Sequence, residues 1–307
     1  MALFSRTWTK LVRLSKHVHP AGRKSVRPIV TSARREMDIS GIYPPIATPF
    51  RADESIDYGK LEENINKWNQ IPFRGYVVQG SNGEYAYLTK TERVELVSKV
   101  AAMVPKDKLI IAGAGCESTR DTIEMTRLMS QAGAKAVLVV TPCFYKGQMT
   151  NEAMISHFTK VADASTVPVI LYSVPGNTTI DLAPEVIITL SKHPNIIGLK
   201  DSGGDVAKLA NLVYKTKGNN FQILAGSASF LLPAYTVAGV HNTSIVIDQT
   251  VAKVVLEGSW GWLMSWDMSV VCWRIYLKKA RWKRLRFFNK DLLNQMFVSP
   301  DDLEFLA

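Results

Sequence analysis

Lys200 and Tyr172 are the residues of this chain whose types and positions point most directly to covalent chemistry. Lys200 ends the apolar run at residues 196–200, so its amine closes a predicted buried strand. An amine that loses solvation there is more available in its neutral, nucleophilic form, and it can form a Schiff base with a carbonyl compound. The alternative is a structural lysine that reaches water or pairs with Asp201.

Tyr172 ends the preceding apolar run, at residues 167–172. Neighbouring strands of a sheet lie about 5 Å apart, so its phenol could lie beside the Lys200 amine. A phenol in that place can transfer protons while the Schiff base forms and while a bond of the substrate breaks. The alternative is a tyrosine that caps the core with its hydroxyl in water.

Two glycine-rich loops also follow predicted strands. The loop GSNGE occupies residues 80–84, and DSGGD occupies residues 201–205, directly after Lys200. Backbone N–H groups and hydroxyls in such loops can hold an anion. Many ordinary turns have the same composition, so neither loop is specific alone.

Several other chemistries lack their motifs. The five histidines lie far apart with no ligand spacing, which argues against a zinc-dependent enzyme. The three cysteines form no close pair and no metal-type spacing, so a reduced compartment is the simple interpretation. The sequence has no P-loop and no Gly-x-Ser-x-Gly motif.

The elements that must position these residues are predicted from apolar runs that alternate with amphipathic segments. The runs occupy residues 42–48, 75–79, 109–112, 136–140, 167–172, 196–200 and 222–225, with 243–247 as an eighth. They are rich in Val, Ile and Leu without polar alternation, which is typical of parallel strands covered on both faces. Their ends are 25 to 33 residues apart over the first seven, which leaves room for a helix after each.

This pattern predicts an α/β protein of the (β/α)8 TIM-barrel class, in which reactive residues lie at the carboxyl ends of strands. The alternative is a doubly wound sheet of seven strands, although no glycine-rich dinucleotide motif follows the first strand. Helices are predicted at residues 58–70, 89–103, 119–132, 151–164 and 184–191. Their start signals are Thr89 with Glu92, Asn151, and Asp181 shortly before Pro184.

The basic residues are concentrated at the two ends of the chain. The net charge is +10, but residues 1–36 hold nine Lys/Arg against one acid and residues 274–286 hold seven and no acid. The rest has 21 basic and 26 acidic residues, so nucleic acid is not an expected partner. The Arg-rich, amphipathic residues 1–36 predict a mitochondrial transit peptide and a location in the matrix; the alternative is a basic tail without an address.

The chain is predicted to consist of the transit peptide at 1–36, the barrel at 37–248 and a divergent segment at 249–307. That last segment contains five of the seven tryptophans and the second basic cluster. Its abrupt change in composition suggests an alternative exon, a retained intron or a frame error. A basic amphipathic helix at a membrane surface is the alternative. The sequence contains no run of 18 apolar residues, so a membrane-spanning helix is not predicted.

Four motifs in this order and spacing resemble the pyruvate-dependent class I aldolase family that includes dihydrodipicolinate synthase and N-acetylneuraminate lyase. They are GIYPPIATPF at 41–50, VQGSNGE at 78–84, LYSVPGNT at 171–178 and GLKDSGGD at 198–205. The resemblance extends over about residues 39–240, and the pattern is most similar to the mitochondrial members that cleave 4-hydroxy-2-oxoglutarate. From Val240 onward the family's glycine-rich eighth strand and C-terminal helices are replaced.

The resemblance implies that Lys200 forms the imine and that Tyr172 transfers protons. It also implies that Ser81 and Asn82 lie at the carboxylate of the bound pyruvate unit. The family's third proton-transfer residue is a tyrosine that reaches into a neighbouring subunit. This chain has Phe144 at that position with Tyr145 beside it, and we favour Tyr145 as a substitute after a local shift over a shortened relay.

The resemblance further implies that Ser202 and Gly203 contact the substrate and that Asn177 helps to select it. The lysine-pathway synthase usually has an arginine at the position of Asn177, for the carboxylate of its second substrate, so this chain differs from that enzyme. The resemblance also implies that the protein is a homotetramer and that its substrate is a small 2-oxo acid. It implies no metal and no organic cofactor.

The implied reaction is cleavage of 4-hydroxy-2-oxoglutarate to pyruvate and glyoxylate, the last step of hydroxyproline breakdown. The imine nitrogen would accept the electrons of the C3–C4 bond as it breaks. Two alternatives are a lyase for a related 2-oxo acid such as N-acetylneuraminate, and a pseudoenzyme that binds pyruvate-like ligands without turnover.

Overall fold

Seven parallel strands in sequence order form one sheet within the part of the chain that the structure describes. The computed structural model describes residues 37–238 and 243–245, and in it each strand pairs with the one before it. The strands are β1 Gly75–Val78, β2 Leu109–Gly113, β3 Ala136–Val140, β4 Val169–Ser173, β5 Ile196–Asp201, β6 Gln222–Ala225 and β7 Thr243–Ile245. The predicted α/β class with a parallel sheet is confirmed. A doubly wound sheet would reverse its strand order, and these seven strands do not.

The predicted first strand, at residues 42–48, is an extended segment rather than a regular strand. It runs parallel to β1, with hydrogen bonds from Ile46 N to Val77 O and from Val77 N to Pro44 O, both 3.0 Å. Pro44 and Pro45 have no backbone N–H to donate, which prevents a continuous ladder. Closure of the barrel between this segment and residues 243–247 involves residues outside the described ranges and stays a prediction.

Helices follow the strands, as the βα spacing predicted. They are α1 Tyr58–Asn69, α2 Lys90–Met103, α3 Thr119–Gln131, α4 Asn151–Ala164, α5 Pro175–Thr178, α6 Pro184–Leu190, α7 Val206–Lys215 and α8 Leu231–Ala238. The capping box of Thr89 and Glu92 at the start of α2 is confirmed. The predicted starts at Asn151 and Pro184 are confirmed too, although Thr150 rather than Asn151 provides the cap of α4 and Ala183 precedes α6 without a side-chain cap.

The strands are buried on both faces, and two apolar clusters cover them. The smaller cluster includes Leu138, Ile170 and Tyr172, and the larger includes Val139, Leu171 and the inner faces of the helices. Since successive side chains of a strand point to opposite faces, the two clusters lie on opposite sides of the sheet. Tyr172 therefore belongs to the face away from the helices.

The predicted transit peptide at residues 1–36 and the divergent segment at 249–307 lie outside the described residues. The boundaries of the barrel domain at 37 and 248 likewise stay a prediction. Among the residues that the structure describes, no helix has both the length and the apolar character needed to cross a membrane.

Candidate active site

Lys200 and Tyr172 lie side by side near the carboxyl ends of β5 and β4. They are register partners across this parallel pair, and the Lys200 nitrogen is 4.4 Å from the centroid of the Tyr172 ring. Only 3% of Lys200 and 5% of Tyr172 is exposed. The sheet therefore brings a buried amine against the face of a buried phenol ring.

Ser81 joins this pair from the loop that follows β1. Its hydroxyl oxygen lies 3.0 Å from the Tyr172 hydroxyl, within hydrogen-bonding distance. The loop is a single 3₁₀ turn over Ser81–Gly83, and the buried Thr48 hydroxyl anchors it by donating to Gly83 O at 2.7 Å. Asn82 is half-buried in the same turn. Thr48 belongs to the motif at residues 41–50 but was not singled out from the sequence.

Asp201 does not pair with Lys200, although such a pair was one alternative to a nucleophilic role for this lysine. Its fully buried carboxylate accepts from the Lys208 ammonium at 2.9 Å, on the opposite face of β5. Within the described part of the chain, no carboxylate oxygen lies within 4 Å of the Lys200 nitrogen. The amine therefore has no direct counter-ion among those residues.

Ser202 and Gly203 form the start of the loop after β5. Ser202 N donates to Ser173 O at 2.9 Å, and Gly203 N donates to the Asp201 carboxylate at 2.8 Å. The Ser202 hydroxyl packs against Gly226 so closely that a Cβ added at Gly226 would lie 2.0 Å from it. The absence of a side chain at Gly226 thus leaves the space that the Ser202 hydroxyl occupies.

Asn177 lies in the short helix α5, five residues after Tyr172. Its side chain is exposed, and its backbone N–H donates to Val174 O at 2.9 Å. A Cβ at Gly203 would meet the Pro175 ring at 3.4 Å, so α5 and the loop after β5 are neighbours. Asn177, Ser202 and Gly203 thus belong to the same edge of the sheet as Lys200.

Tyr145 and Phe144 lie on the surface, 71% and 75% exposed, with their ring centroids 5.0 Å apart. Glu117 holds their loop by accepting from Cys143 N and Phe144 N at 3.0 and 2.9 Å. Burial, reinforced by the Glu117 charge, raises the pKa of the Cys143 thiol. Both rings are thus far more exposed than Lys200 and Tyr172, which are buried, and Ser81, which is half-buried.

Gln79 and Arg93 brace the loop that carries Ser81, and sequence reasoning missed both. Gln79 adopts a left-handed φ of 63°, and its side chain bonds both the backbone oxygen and the guanidinium of Arg93. The guanidinium is buried and also donates to Gly113 O at 3.0 Å. Arg93 lies on the buried face of α2 with Leu96, Val97 and Val100. Its position among these apolar residues is the feature of the sequence that could have predicted its burial.

A small cavity lies beside Tyr172, lined also by Gln79, Tyr85, Arg93 and Val140. The Arg93 guanidinium carbon is 5.0 Å from the centroid of the Tyr85 ring. Burial raises the pKa of the Tyr85 phenol, and the Arg93 charge offsets part of that rise. A phenol with a raised pKa stays protonated near neutral pH, so it can act as a hydrogen-bond donor.

The arrangement as a whole suits covalent catalysis on a carbonyl group. It offers a buried amine, an adjacent phenol and a hydroxyl in contact with that phenol, which are the groups that imine formation and proton transfer need. Within residues 37–238 and 243–245, no three His, Cys, Asp or Glu side chains are grouped as ligands for a metal ion.

Residues 38–256 match the dihydrodipicolinate synthetase family. Among its relatives is the 4-hydroxy-tetrahydrodipicolinate synthase of Methanoculleus marisnigri, which is 33% identical over 217 residues, or 70% of this chain and 74% of the relative. The enzyme of the same name from Natronomonas pharaonis is 33% identical over 225 residues, or 71% and 76% of the two chains.

Solved structures agree with the sequence relatives. A dihydrodipicolinate synthase of Bacillus anthracis has a TM-score of 0.68 and 28% identity, over 79% of this chain and 78% of its own. A dihydrodipicolinate synthase of Acinetobacter baumannii, solved in complex with pyruvate, has a TM-score of 0.65 and 28% identity, over 74% and 79% of the two chains.

Proposed function

The chain belongs to the dihydrodipicolinate synthetase family, and we propose that within this family of lyases it cleaves 4-hydroxy-2-oxoglutarate to pyruvate and glyoxylate through an imine on Lys200. The observation that carries this proposal is the buried contact between the Lys200 amine and the Tyr172 ring, whose hydroxyl meets Ser81. This supports the chemistry, and the pyruvate bound to the Acinetobacter baumannii relative supports the class of substrate.

In the proposed reaction, the Lys200 amine adds to the C2 carbonyl of the substrate, and loss of water gives a protonated imine. A base then removes the proton of the C4 hydroxyl, and the electrons of the C3–C4 bond move to the imine nitrogen as glyoxylate leaves. The enamine that remains takes a proton at C3, and water releases pyruvate and restores the amine. Tyr172 would carry these protons, with Ser81 orienting its hydroxyl.

The choice of 4-hydroxy-2-oxoglutarate is supported by Asn177. Where the resemblance leads us to expect an arginine in a lysine-pathway synthase, this chain has an uncharged amide on α5, close to the loop of Ser202 and Gly203. An amide lacks the positive charge that would pair with the carboxylate of a second substrate. The curated relatives are nevertheless named as synthases, so the substrate must be decided by assay.

The deciding experiment is borohydride reduction of the protein in the presence of pyruvate, followed by peptide mass mapping. We expect a reduced adduct on the peptide that contains Lys200, and none in Lys200→Met. A folded protein that gives no adduct would contradict the imine mechanism. Release of pyruvate is then compared for 4-hydroxy-2-oxoglutarate and N-acetylneuraminate, and an adduct without cleavage of either substrate would support a pseudoenzyme.

Assembly and location are further parts of the proposal. We propose a homotetramer in the mitochondrial matrix, formed after removal of residues 1–36. Light scattering of the purified protein measures the first point, and N-terminal sequencing of the protein isolated from mitochondria measures the second. A mature protein that still begins at Met1 would contradict cleavage of the leader.

A further inference from the structure

A buried ionic network lies directly behind Lys200 and Tyr172. Ser173 and Asp201, the residues that follow them, are also register partners, and they point to the other face of the sheet. Lys208 of α7 reaches this face, where its ammonium lies 2.9 Å from the Asp201 carboxylate and also contacts Asp181. The Ser173 hydroxyl donates to the same Asp181 oxygen at 2.8 Å.

Lys208 is a charged residue on the apolar face of a helix. Its side chain is 6% exposed, and the buried residues of α7 are Lys208, Leu209 and Leu212. Burial works to lower the pKa of its ammonium, but the hydrogen bonds and charges of Asp181 and Asp201 outweigh burial and raise the pKa. Lys208 therefore stays protonated as the counter-ion of Asp201.

The two carboxylates differ in how much they depend on Lys208. Half of the Asp181 side chain is exposed, so water can solvate its charge. The Asp201 side chain is fully buried, and its other oxygen accepts only the neutral N–H of Gly203 among the contacts described. Lys208 is thus the cation that neutralises a buried carboxylate one residue away from the proposed nucleophile.

We propose that Lys208 is a positioning residue that acts on Lys200 through Asp201, by neutralising a buried carboxylate whose uncompensated charge would lower the reactivity of the neighbouring Lys200 amine. An uncompensated buried negative charge stabilises a nearby cation, and Lys200 has no direct counter-ion among the described residues. This inference rests on the proposed role of Lys200 as an amine nucleophile. A side chain on the far face of the sheet would thereby act in catalysis.

The inference predicts opposite effects for the two partners of the ion pair. Lys208→Met leaves Asp201 uncompensated and should lower the reactivity of the Lys200 amine about tenfold. Asp201→Asn removes the negative charge and should raise that reactivity severalfold. Damage to the packing alone would change reactivity in the same direction in both variants. Lys208→Arg keeps the charge and should stay within about twofold of the wild type.

The experiment is reductive methylation of the full chain with formaldehyde and cyanoborohydride at one pH, without substrate. Formaldehyde is small enough to approach a buried amine, and mass spectrometry compares modification of Lys200 with that of the exposed Lys106 in the same sample. Opposite changes in Lys208→Met and Asp201→Asn are the expected result. Unchanged ratios, changes in the same direction, or a wild-type Lys200 that is not methylated would overturn the inference.

Folding of the variants and the proposed function are controlled separately. Lys208→Met alone could fail to fold, because it leaves the buried Asp201 carboxylate unpaired. The double variant Asp201→Asn with Lys208→Met removes both charges and should retain reactivity near that of the wild type. A loss of reactivity in the folded double variant would also overturn the inference. Borohydride trapping with pyruvate is run in parallel, so that a wild-type Lys200 that is methylated but not trapped contradicts the proposed function alone.

Discussion

The Lys200 nitrogen lies 4.4 Å from the centroid of the Tyr172 ring, and the backbones of the two residues are paired in register on β5 and β4. Their spacing is therefore set by the sheet rather than by a loop. Side chains on regular elements hold their geometry better than side chains on loops. Changes to either side chain should alter the chemistry while the backbone of the site stays in place.

Tyr172→Phe should slow turnover about a hundredfold or more, because it removes the hydroxyl that would transfer protons. The phenylalanine ring can keep the contact with Lys200, so the thermal unfolding temperature should change little. The measurement is steady-state release of pyruvate from 4-hydroxy-2-oxoglutarate. Unchanged turnover would contradict the role of the phenol.

Ser81→Ala should slow turnover less than Tyr172→Phe, since in the proposed reaction Ser81 orients the Tyr172 hydroxyl but does not itself transfer the proton. In the double variant the two losses should not add, because the groups share one hydrogen bond and such neighbours couple by about 0.5–3 kcal/mol. A double-mutant cycle in turnover measures this coupling. Simple additivity of the two losses would show that Ser81 acts independently of Tyr172.

Gly226→Ala should raise the KM for the substrate because its new methyl group would displace the Ser202 hydroxyl, which it would meet at 2.0 Å. The Asp201 backbone oxygen is also close to this position, so some loss of stability is expected. Gly147→Ala is the matched control, since a Cβ there meets nothing within 4 Å. Equal kinetics for both alanine variants would argue against a substrate contact by Ser202.

The stability of the fold should decrease in mild acid because of His157. Burial lowers its pKa from 6.5 to about 4 in the folded protein, although the Glu117 charge opposes this shift. The unfolded chain therefore binds a proton between these values that the folded chain does not. Stability is unaffected above pH 6.5 and falls as the pH drops towards 4, by about 3 kcal/mol in total.

Urea unfolding at a series of pH values between 7 and 4.5 measures this effect. His157→Gln removes the titrating group and can still bond to Thr119, whose hydroxyl lies 3.0 Å from Nδ1. Its free energy of unfolding should depend less steeply on pH than that of the wild type. The same slope in both proteins would assign the acid sensitivity to other groups.

Tyr145→Phe should lower turnover of the assembled enzyme about tenfold if the exposed Tyr145 hydroxyl completes a proton relay in a neighbouring subunit. Tyr214→Phe is the control, because this tyrosine is similarly exposed but lies on α7. Turnover is compared in samples whose oligomeric state has been checked by light scattering. If Tyr145→Phe and Tyr214→Phe have equal turnover, the proton relay consists of Tyr172 and Ser81 without Tyr145.

Local and periodic features of the fold were predictable from the sequence. The apolar runs predicted strands that are buried on both faces. The capping box of Thr89 and Glu92 was predictable because it depends only on two residue types at a spacing of three. The exception among the strands is the run at 42–48, where Pro44 and Pro45 outweigh the apolar pattern. Its residues have the composition of a strand but lack the N–H donors for one.

Contacts between distant residues were not predictable from the pattern alone. Asp181 was interpreted as a helix-start residue, whereas it pairs with Lys208, 27 positions away. Arg93 and Lys208 interrupt apolar helix faces, and the pattern marks them as unusual without naming their partners. The neighbourhood of Lys200 and Tyr172 was predictable because both end adjacent strands, but the contact of Ser81 with Tyr172 depends on how a loop 91 residues earlier folds back.

The strand order has a consequence for synthesis of the chain. Each strand pairs with the strand that precedes it in the sequence, so every unit can dock on a surface already made as the ribosome releases it. Ser81, Tyr172 and Lys200 are all translated before β6 and β7. The side chains of Ser81, Tyr172 and Lys200 can therefore come together on the nascent chain before β6 and β7 are added to the sheet.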